Sequence, residues 1–259
     1  VPCCEGCNKY RLQPIETLLA EAVFEGPDAV RSLGNRVLFL WLGKIFYGIL
    51  YKELFLSSDL KNRDAPPIID PEEMRLYEDH LFFLQEARGK IATVNFCPGS
   101  IFVFRTQKPE SNRLQWDFTD NIGTLFIGVR MGEVGVIGVL NDGGILQLHG
   151  DIYDSLANHP LHPLQFRELC AAISYQSSIR QRSPTHITIE GNPHQVIQPP
   201  VGGISLKPFY QDWDLDQFAQ FLSCYTHFPI EQIHPHPNQI VSFLYDPDGK
   251  PIHRPIDNN

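Results

Sequence analysis

The longest apolar stretch of the chain lies between about Asp28 and Leu56 and predicts a central helix. In RVLFLWLGKIFYGILYKELFL, apolar residues recur on most sides of a helix and leave a narrow polar stripe at Arg36, Lys44 and Lys52. A helix with so wide an apolar surface must be covered on most sides by the rest of the chain. Lys44 interrupts the stretch well before the ~18 uncharged residues that a membrane span needs. We therefore expect a buried central helix and no membrane span.

Apolar residues at helical spacing predict four further helices. Together with the central one, the predicted helices cover residues 11–24, 28–56, 71–88, 163–181 and 213–228. Gly26 and Pro27 end the first helix, and Asp28 can cap the central one. Asp212 or Asp214 can cap the last helix.

Beyond Gly89 the apolar pattern changes from helical to alternating, which predicts β-strands. Six short alternating segments follow one another from Ile91 to Gly150, separated by turn signals such as PG, NIG, MG and NDGG. Such short turns favour an antiparallel meander, because parallel neighbours need long crossovers. Residues 185–190 predict another short strand, and DPDG at 246–249 predicts a closing hairpin.

These elements predict an α+β fold, with N-terminal helices around a long central helix packed on an antiparallel β-meander. Further helices and a short strand or hairpin follow toward the C-terminus. Residues 57–69 and 191–207 are rich in polar residues, Pro or Gly and predict loops. Side chains on the apolar faces should be buried, each contributing roughly 1.5 to 3 kcal/mol. The main ones are Trp41, Phe46, Phe102, Phe104, Phe126 and Ile137.

Composition and charge restrict the class of protein. With 259 residues and 42% apolar content, the chain can bury one substantial core. A net charge of -9 argues against a surface that binds nucleic acid everywhere, so any such contact must be local. The sequence has no signal, transit or lipidation motif. It also lacks an initiator methionine, and we expect Val1 to lie inside a larger protein.

The six cysteines do not resemble a disulfide framework. Three crowd at the start of the chain, whereas Cys97, Cys170 and Cys224 lie far apart in apolar surroundings. We interpret these three as buried small hydrophobic residues. The pattern favours a reducing, cytoplasmic location.

The strongest chemical signal is VPCCEGCNKYRLQPIE, residues 1–16. Cys4 and Cys7 form a CxxC pair, whose spacing lets two thiolates reach one tetrahedral ion. Asn8 follows at the predicted start of a helix, and Lys9 and Arg11 make this the place where a basic, nucleic-acid-binding surface is expected. The cations that could extend this surface are Arg31, Arg36 and Lys44. The alternatives are a CxxC without metal or a redox pair, although a redox pair needs an adjoining βαβ pattern that is absent here.

The order CC, two residues, CN and then an amphipathic helix resembles the second half of the HNH (ββα-metal) endonuclease motif. In that family a histidine on the first strand activates water, and an Asn or His on the helix ligates a divalent ion. Many members add two CxxC knuckles that hold a structural zinc. The resemblance implies that Asn8 is a ligand of the catalytic metal and that Cys4 and Cys7 form the second knuckle. Cys3 stands where the motif usually has an apolar residue.

The resemblance implies phosphodiester hydrolysis with Mg²⁺ or a similar ion, together with a structural Zn²⁺. The first knuckle and the catalytic histidine are expected upstream of Val1, since the first histidine of this chain is His80. We therefore expect an inactive fragment, with residues 1–25 as the remnant of the motif and 26–259 as a single α+β accessory domain. The alternative is a non-catalytic interaction protein with a vestigial CxxC.

Other patterns give weaker hypotheses. Four histidines in Pro-rich turns could form a second metal cluster, namely His159, His162, His234 and His236. NDGG at 141–144 and DPDG at 246–249 resemble pieces of a calcium loop, but both lack the later acidic ligand and suit hairpin turns. The acidic residues between Glu72 and Asp79 predict a solvated helix face.

Overall fold

The computed structural model describes residues 5–108, 115–148, 151–156, 159–199, 207–237 and 239–253, and it is α+β as predicted. The α-helices are α1 (Glu5–Cys7), α2 (Gln13–Glu25), α3 (Pro27–Ser32), α4 (Asn35–Glu53), α5 (Glu78–Leu84), α6 (Ile145–Leu148), α7 (Asp151–Leu156), α8 (Pro163–Ser178), α9 (Leu215–Thr226) and α10 (Ile230–Ile233). The strands are β1 (Ser57–Asp59), β2 (Asn62–Pro67), β3 (Ile91–Val94), β4 (Ser100–Arg105), β5 (Trp116–Asn121), β6 (Phe126–Met131), β7 (Val134–Val139), β8 (Ile187–Ile189) and β9 (His194–Ile197). A π-helical turn covers Asn8–Leu12, and 3₁₀ turns cover Glu73–Tyr77, Gln85–Arg88 and Ile122–Thr124.

The central sheet has four antiparallel strands in the order β4-β7-β6-β5. Strands β5, β6 and β7 form the predicted meander, and β4 pairs with β7 so that Ser100 lies opposite Val139. The prediction of one meander from Ile91 to Gly150 was wrong at both ends. Strand β3 belongs to a second sheet, in which it runs parallel to β9, and residues 145–148 form helix α6 instead of a strand.

Local chemistry explains both departures. Asn95 has a φ of 60°, which turns the chain out of an extended path after β3, and Pro98 lacks a ladder N–H. The Asp142 carboxylate accepts hydrogen bonds from the backbone N–H groups of Gly144 and Leu146, so it caps a helical turn. NDGG is therefore a helix-capping turn and not the predicted hairpin turn.

Helices cover both faces of the central sheet, because its strands β4, β6 and β7 are buried at consecutive positions. Ile101 and Val103 of β4 belong to a core shared with α4. Phe102 and Phe104, on the opposite face, belong to a core shared with α8 and α9. All six side chains predicted to be buried are buried, and the most exposed of them, Trp41, is 8% exposed.

The central helix begins at Asn35, later than predicted, because the preceding residues form the separate helix α3. Gly34, with a φ of 81°, stands at its N-terminal boundary. The prediction that Asp28 caps this helix was wrong: Asp28 lies in α3 and pairs with Arg31 and Arg105 at 2.5 and 3.1 Å. None of the described helices combines the length and the apolarity that crossing a bilayer requires.

Several smaller expectations need correction. Residues 57–69 contain the antiparallel pair β1 and β2, and 191–207 contains strand β9, so neither segment is purely a loop. The helix predicted over 71–88 is divided into 3₁₀, α and 3₁₀ segments. Cys170 is buried as predicted, but Cys97 is only half-buried and Cys224 is exposed on α9.

Two predictions near the C-terminus were correct. Asp214 caps α9 by accepting a 3.0 Å hydrogen bond from the backbone N–H of Gln217. The DPDG segment forms a closing turn, in which the N–H of Asp246 donates to the carbonyl of Lys250 at 2.9 Å.

Candidate functional site

The described part of the HNH-like motif is helical. Cys7 ends α1 and is half-buried, and Asn8 begins the π-helical turn and is exposed. The helical segment continues without a break into α2, and Glu5–Cys7 are already helical, so Asn8 lies within the segment and not at its start as predicted. Cys3 and Cys4 lie outside the described residues.

This motif segment is fixed to the body of the protein. Leu19 and Ala22 of α2 are buried in the core that contains α4. Glu16 forms an ion pair with Lys44 in the middle of α4. The π-helical turn also contacts the 3₁₀ turn Gln85–Arg88. The position of Asn8 is therefore set by a packed helix.

One basic side chain of the motif reaches a turn that carries two further cations. The Arg11 guanidinium nitrogen Nη1 lies 3.7 Å from the place that a Cβ on Gly89 would occupy. Arg88 and Lys90 flank that glycine and are exposed, and Arg88 donates to the neutral amide oxygen of Gln85 at 3.2 Å. We name Arg11, Arg88 and Lys90 the basic patch. The sequence reading missed Arg88 and Lys90, because only the fold brings them next to Arg11.

Lys9 is exposed like Arg11, and its ammonium lies 5.7 Å from the centroid of the Tyr10 ring. The cations expected to extend this surface from α3 and α4 are neutralised by partners. Arg36 pairs with Glu86 and Lys44 pairs with Glu16. The positive surface therefore excludes Arg36 and Lys44, which the sequence predicted as contributors. It includes instead Arg88 and Lys90, which lie after α5.

A cavity of about 130 Å³ lies between α5, the C-terminal end of β7 and the segment after α8. His80, Asn141, Arg180 and His186 line it among apolar side chains such as Leu140. The chain thus gathers polar groups from distant elements around one small concave site. Its volume is below the roughly 300 to 1,000 Å³ of typical ligand pockets, so it suits only a small group.

His80 is the deepest polar group of the cavity and is 2% exposed. Its Nε2 lies 3.1 Å from the carbonyl oxygen of Gly43, while Nδ1 is buried without a hydrogen-bond partner among the described residues. The Phe39 and Phe46 rings meet its ring edge to face, at centroid distances of 6.1 and 5.8 Å. Burial lowers the pKa of His80 to about 4, so the ring is neutral at pH 7.

Asn141 is another polar residue that lines the cavity. Its Oδ1 is buried without a partner among the described residues, and its backbone carbonyl accepts a 2.9 Å hydrogen bond from Arg180 Nη1. The next residue, Asp142, is fully buried and accepts from the Ser100 N–H at 2.7 Å and from Ser100 Oγ at 2.6 Å. Burial raises the pKa of Asp142, against the opposing effect of these donors. This network fixes the turn that carries Asn141.

The other candidates have structural roles. His162 caps α8 by accepting from the Leu164 N–H, and His159 Nε2 contacts the Ile252 carbonyl. His234 lies between the Asp216 carboxylate and the Gln239 carbonyl. The predicted acidic face is exposed, as expected, at Glu72, Glu73, Glu78 and Asp79. Within the described ranges, no three His, Cys, Asp or Glu residues are grouped so as to hold a metal ion.

Comparisons with protein-family models, curated proteins and solved structures found no match to this chain. The resemblance to the HNH family therefore depends on the sequence alone, that is, on residues 1–16 and on the similar segments LWLGKIFYGILYKELFL and PGSIFVF.

Proposed function

We propose that this chain is the carboxy-terminal part of an HNH-type endonuclease that hydrolyses phosphodiester bonds in nucleic acid with a divalent metal ion. The supporting observation is that Asn8 is exposed on a helix packed against the body, and that Arg11 of the same helical turn lies next to the segment that carries Arg88 and Lys90. The protein as a whole carries a net charge of -9, so this local positive charge favours one place for a polyanion. Residues 26–259 would position the motif and contact the substrate.

The donor types present fit the metals that the motif implies. An amide oxygen such as that of Asn8 suits Mg²⁺, and thiolates such as those of Cys4 and Cys7 suit Zn²⁺. A bound divalent ion would supply charge stabilisation at the phosphate. Arg11, Arg88 and Lys90 would hold the phosphate backbone. In the resembled motif the general base is a histidine that precedes the second knuckle, and His80, which is buried in the body, does not match that position.

The test uses protein expressed from the native start of the gene. We expect it to nick plasmid DNA with Mg²⁺ or Mn²⁺ and to retain zinc through dialysis. Asn8→Ala should abolish nicking and leave the circular dichroism spectrum unchanged, whereas Gln13→Ala, which changes an exposed amide on the same helical segment, should keep full activity. Cys7→Ser should lower the zinc content. Nicking that survives Asn8→Ala, or its absence in the native-start protein, would contradict the proposal.

One observation favours a second candidate, a non-catalytic interaction protein. Phe55 and Leu60, next to and within the β1–β2 hairpin, are 72% and 93% exposed, and exposed apolar patches often mark protein contacts. A protein without nuclease activity whose sedimentation shows self-association, lost in Leu60→Ser, would support this function instead.

A further inference from the structure

The central sheet has one edge that the described part of the chain leaves open. At the opposite edge the outward carbonyl oxygens of β4 are occupied, since Gln147 Nε2 donates to Ile101 at 2.7 Å and Arg31 Nη2 donates to Val103 at 3.1 Å. Strand β5 forms the other edge. No described residue hydrogen-bonds to the outward side of β5, which we name the outer edge. Such an edge is a template for another strand.

The hydrogen bonds between β5 and β6 show which backbone groups face the outer edge. The N–H of Gly132 donates to the Gln115 carbonyl at 2.8 Å, and the same register continues without a shift to Asn121. Residues of an antiparallel pair alternate between facing their partner strand and facing away from it. The N–H and C=O groups that face outward therefore belong to Trp116, Phe118 and Asp120.

Two of these three residues carry exposed aromatic side chains. Trp116 pairs with Met131 and Phe118 pairs with Val129, so they share the face of the sheet that carries α4. Met131 and Val129 are buried, whereas Trp116 is 68% and Phe118 is 47% exposed. Natural edge strands are usually protected by Lys, Pro or a bulge, and β5 has none of these. The apolar face of the sheet thus continues to an open edge.

The third residue, Asp120, makes one end of the outer edge acidic. It is half-buried, its carboxylate oxygens remain accessible, and it forms no ion pair with a described residue. Glu53, at the end of α4, lies close enough for the charge of Asp120 to raise its pKa, and burial raises the pKa of both groups. Lys52 is exposed on α4 but pairs with neither carboxyl. A cation beside Asp120 would offset this electrostatic cost.

The other charged groups of the region do not supply that cation. Asp117 points to the α8 face, where its carboxylate accepts from Arg167 at 2.7 and 3.0 Å. Arg130, opposite Asp117 on β6, is buried on the same face. Glu133, which follows β6, adds an exposed carboxyl. On the α4 face the outer edge is therefore apolar at Trp116 and Phe118 and acidic at Asp120.

We propose that the outer edge binds an extended, basic segment of a partner protein, which adds to the sheet as a further antiparallel strand. Backbone hydrogen bonds to Trp116, Phe118 and Asp120 supply the affinity, and alternate side chains supply the specificity. The segment places Lys or Arg opposite Asp120 and apolar residues opposite Phe118 and Trp116. Because alternate side chains share a face, its sequence pattern is Lys/Arg-x-apolar-x-apolar.

A second copy of this chain fits the outer edge less well. A symmetric antiparallel pairing centred on Phe118 would bring that ring against its counterpart and Asp120 against Trp116. Asp120 would then lose water without gaining a cation, which costs free energy. Two chains of net charge -9 also repel each other. The proposal goes beyond the endonuclease function and does not depend on it.

The experiment titrates the ¹⁵N-labelled 259-residue chain with the peptide acetyl-Thr-Lys-Thr-Val-Thr-Val-Thr-amide. We expect saturable binding, with the largest amide shifts at Trp116, Phe118 and Asp120 and slower hydrogen exchange of these three N–H groups. Glu in place of the peptide Lys should weaken binding about tenfold, because an attractive charge pair becomes a repulsive one. N-methylation of the Val opposite Phe118 should abolish binding, because it removes a backbone donor and leaves the side chains unchanged.

Variants of the protein separate the two contacts. Asp120→Asn keeps the shape of the side chain and removes its charge, and Phe118→Ser removes the exposed ring. Each should weaken peptide binding about fivefold. Asp248→Asn, in the closing turn, and Leu148→Ser, on α6 beside β4, change exposed side chains elsewhere and should leave the affinity unchanged.

The peptide comparisons use the unaltered protein, so they decide the question even where a variant fails to fold. No binding at about 1 mM peptide, equal affinity for the Lys and Glu peptides, or amide shifts confined to another strand such as β8 would overturn the proposal. Dimers in sedimentation that are lost in Phe118→Ser would also overturn it and assign the outer edge to a second copy. None of these outcomes bears on plasmid nicking, which tests the endonuclease proposal separately.

Discussion

His80 approaches the backbone of Gly43 so closely that a side chain at position 43 would collide with it. A Cβ there would lie 2.9 Å from His80 Cε1 and 2.8 Å from Leu84 Cδ2, and the Nε2 to carbonyl distance is 3.1 Å. This glycine in the middle of α4 lets α5 dock directly on the central helix. The position of the cavity therefore depends on residue 43 having no side chain.

We predict that Gly43→Ala destabilises the protein. In an exposed helix the same change would stabilise by about 0.5 to 1 kcal/mol, but here the new Cβ overlaps the buried His80 ring and the half-buried Leu84 side chain. The expected cost is about 1 to 3 kcal/mol, typical of overpacking. Denaturant unfolding followed by circular dichroism measures it. A variant as stable as the parent would show that α4 and α5 are less tightly packed than described.

The neutral, buried state of His80 predicts a pH dependence of stability. Its folded pKa, about 4, lies below the unfolded value near 6.5, so the unfolded state binds more protons between these values. The stabilisation is fully present above pH 6.5 and is lost as the pH falls toward 4, by about 3 kcal/mol in total. Unfolding free energies at pH 7, 5.5 and 4 measure it. The slope should be smaller in His80→Gln, and equal slopes would contradict this assignment.

The alternation of apolar residues predicted the individual strands well, because neighbouring residues such as Ile101 and Phe102 point to opposite faces. It did not predict how the faces would be covered. Strand β7, VGVIGV, has no polar position, which is typical of a strand buried on both sides. The pairing of Ile91 with His194 could not be read from either segment, since it joins positions about a hundred residues apart.

The sequence did not predict the cavity either, because the residues that line it come together only in the fold. His80 follows the acidic residues Glu78 and Asp79, and the local pattern predicts only a solvated helix face. Its chemistry arises from burial against Gly43 and from proximity to Asn141, which lies in a turn after β7. No local motif encodes that combination. By contrast, Asn8 could be predicted as a candidate metal ligand, because the residues of its motif are contiguous in the sequence.

Phe46 belongs to the core and contacts His80, which lines the cavity. Its burial gives a third prediction. Its side chain is fully buried and packs edge to face on His80 at 5.8 Å. Phe46→Asp would place a charge in the apolar core, so it should prevent soluble expression. Phe55→Asp is the matched control, because Phe55 is 72% exposed. The soluble fraction after expression measures both, and full solubility with an unchanged Tm for Phe46→Asp would contradict the described core.

The last prediction concerns the basic patch and the salt dependence of nucleic-acid binding. Each phosphate contact releases counterions, so the slope of log K against log salt is about -0.9 per contact in duplex DNA. With only three cations in the patch on an acidic protein, duplex binding should be weak and should collapse between about 50 and 200 mM salt. Fluorescence anisotropy with a short labelled duplex measures the slope.

Charge reversal then locates the contact. Arg88→Glu and Lys90→Glu should each weaken binding and reduce the salt slope by about one. Lys250→Glu changes the net charge by the same amount, but it lies in the closing turn, whose neighbours Leu244 and Tyr245 pack in the core on the opposite face of the sheet. Equal effects of all three variants would mean that net charge alone governs binding. A loss confined to Arg88→Glu and Lys90→Glu would place the polyanion at the turn next to Arg11, because of the three residues changed only these two flank Gly89.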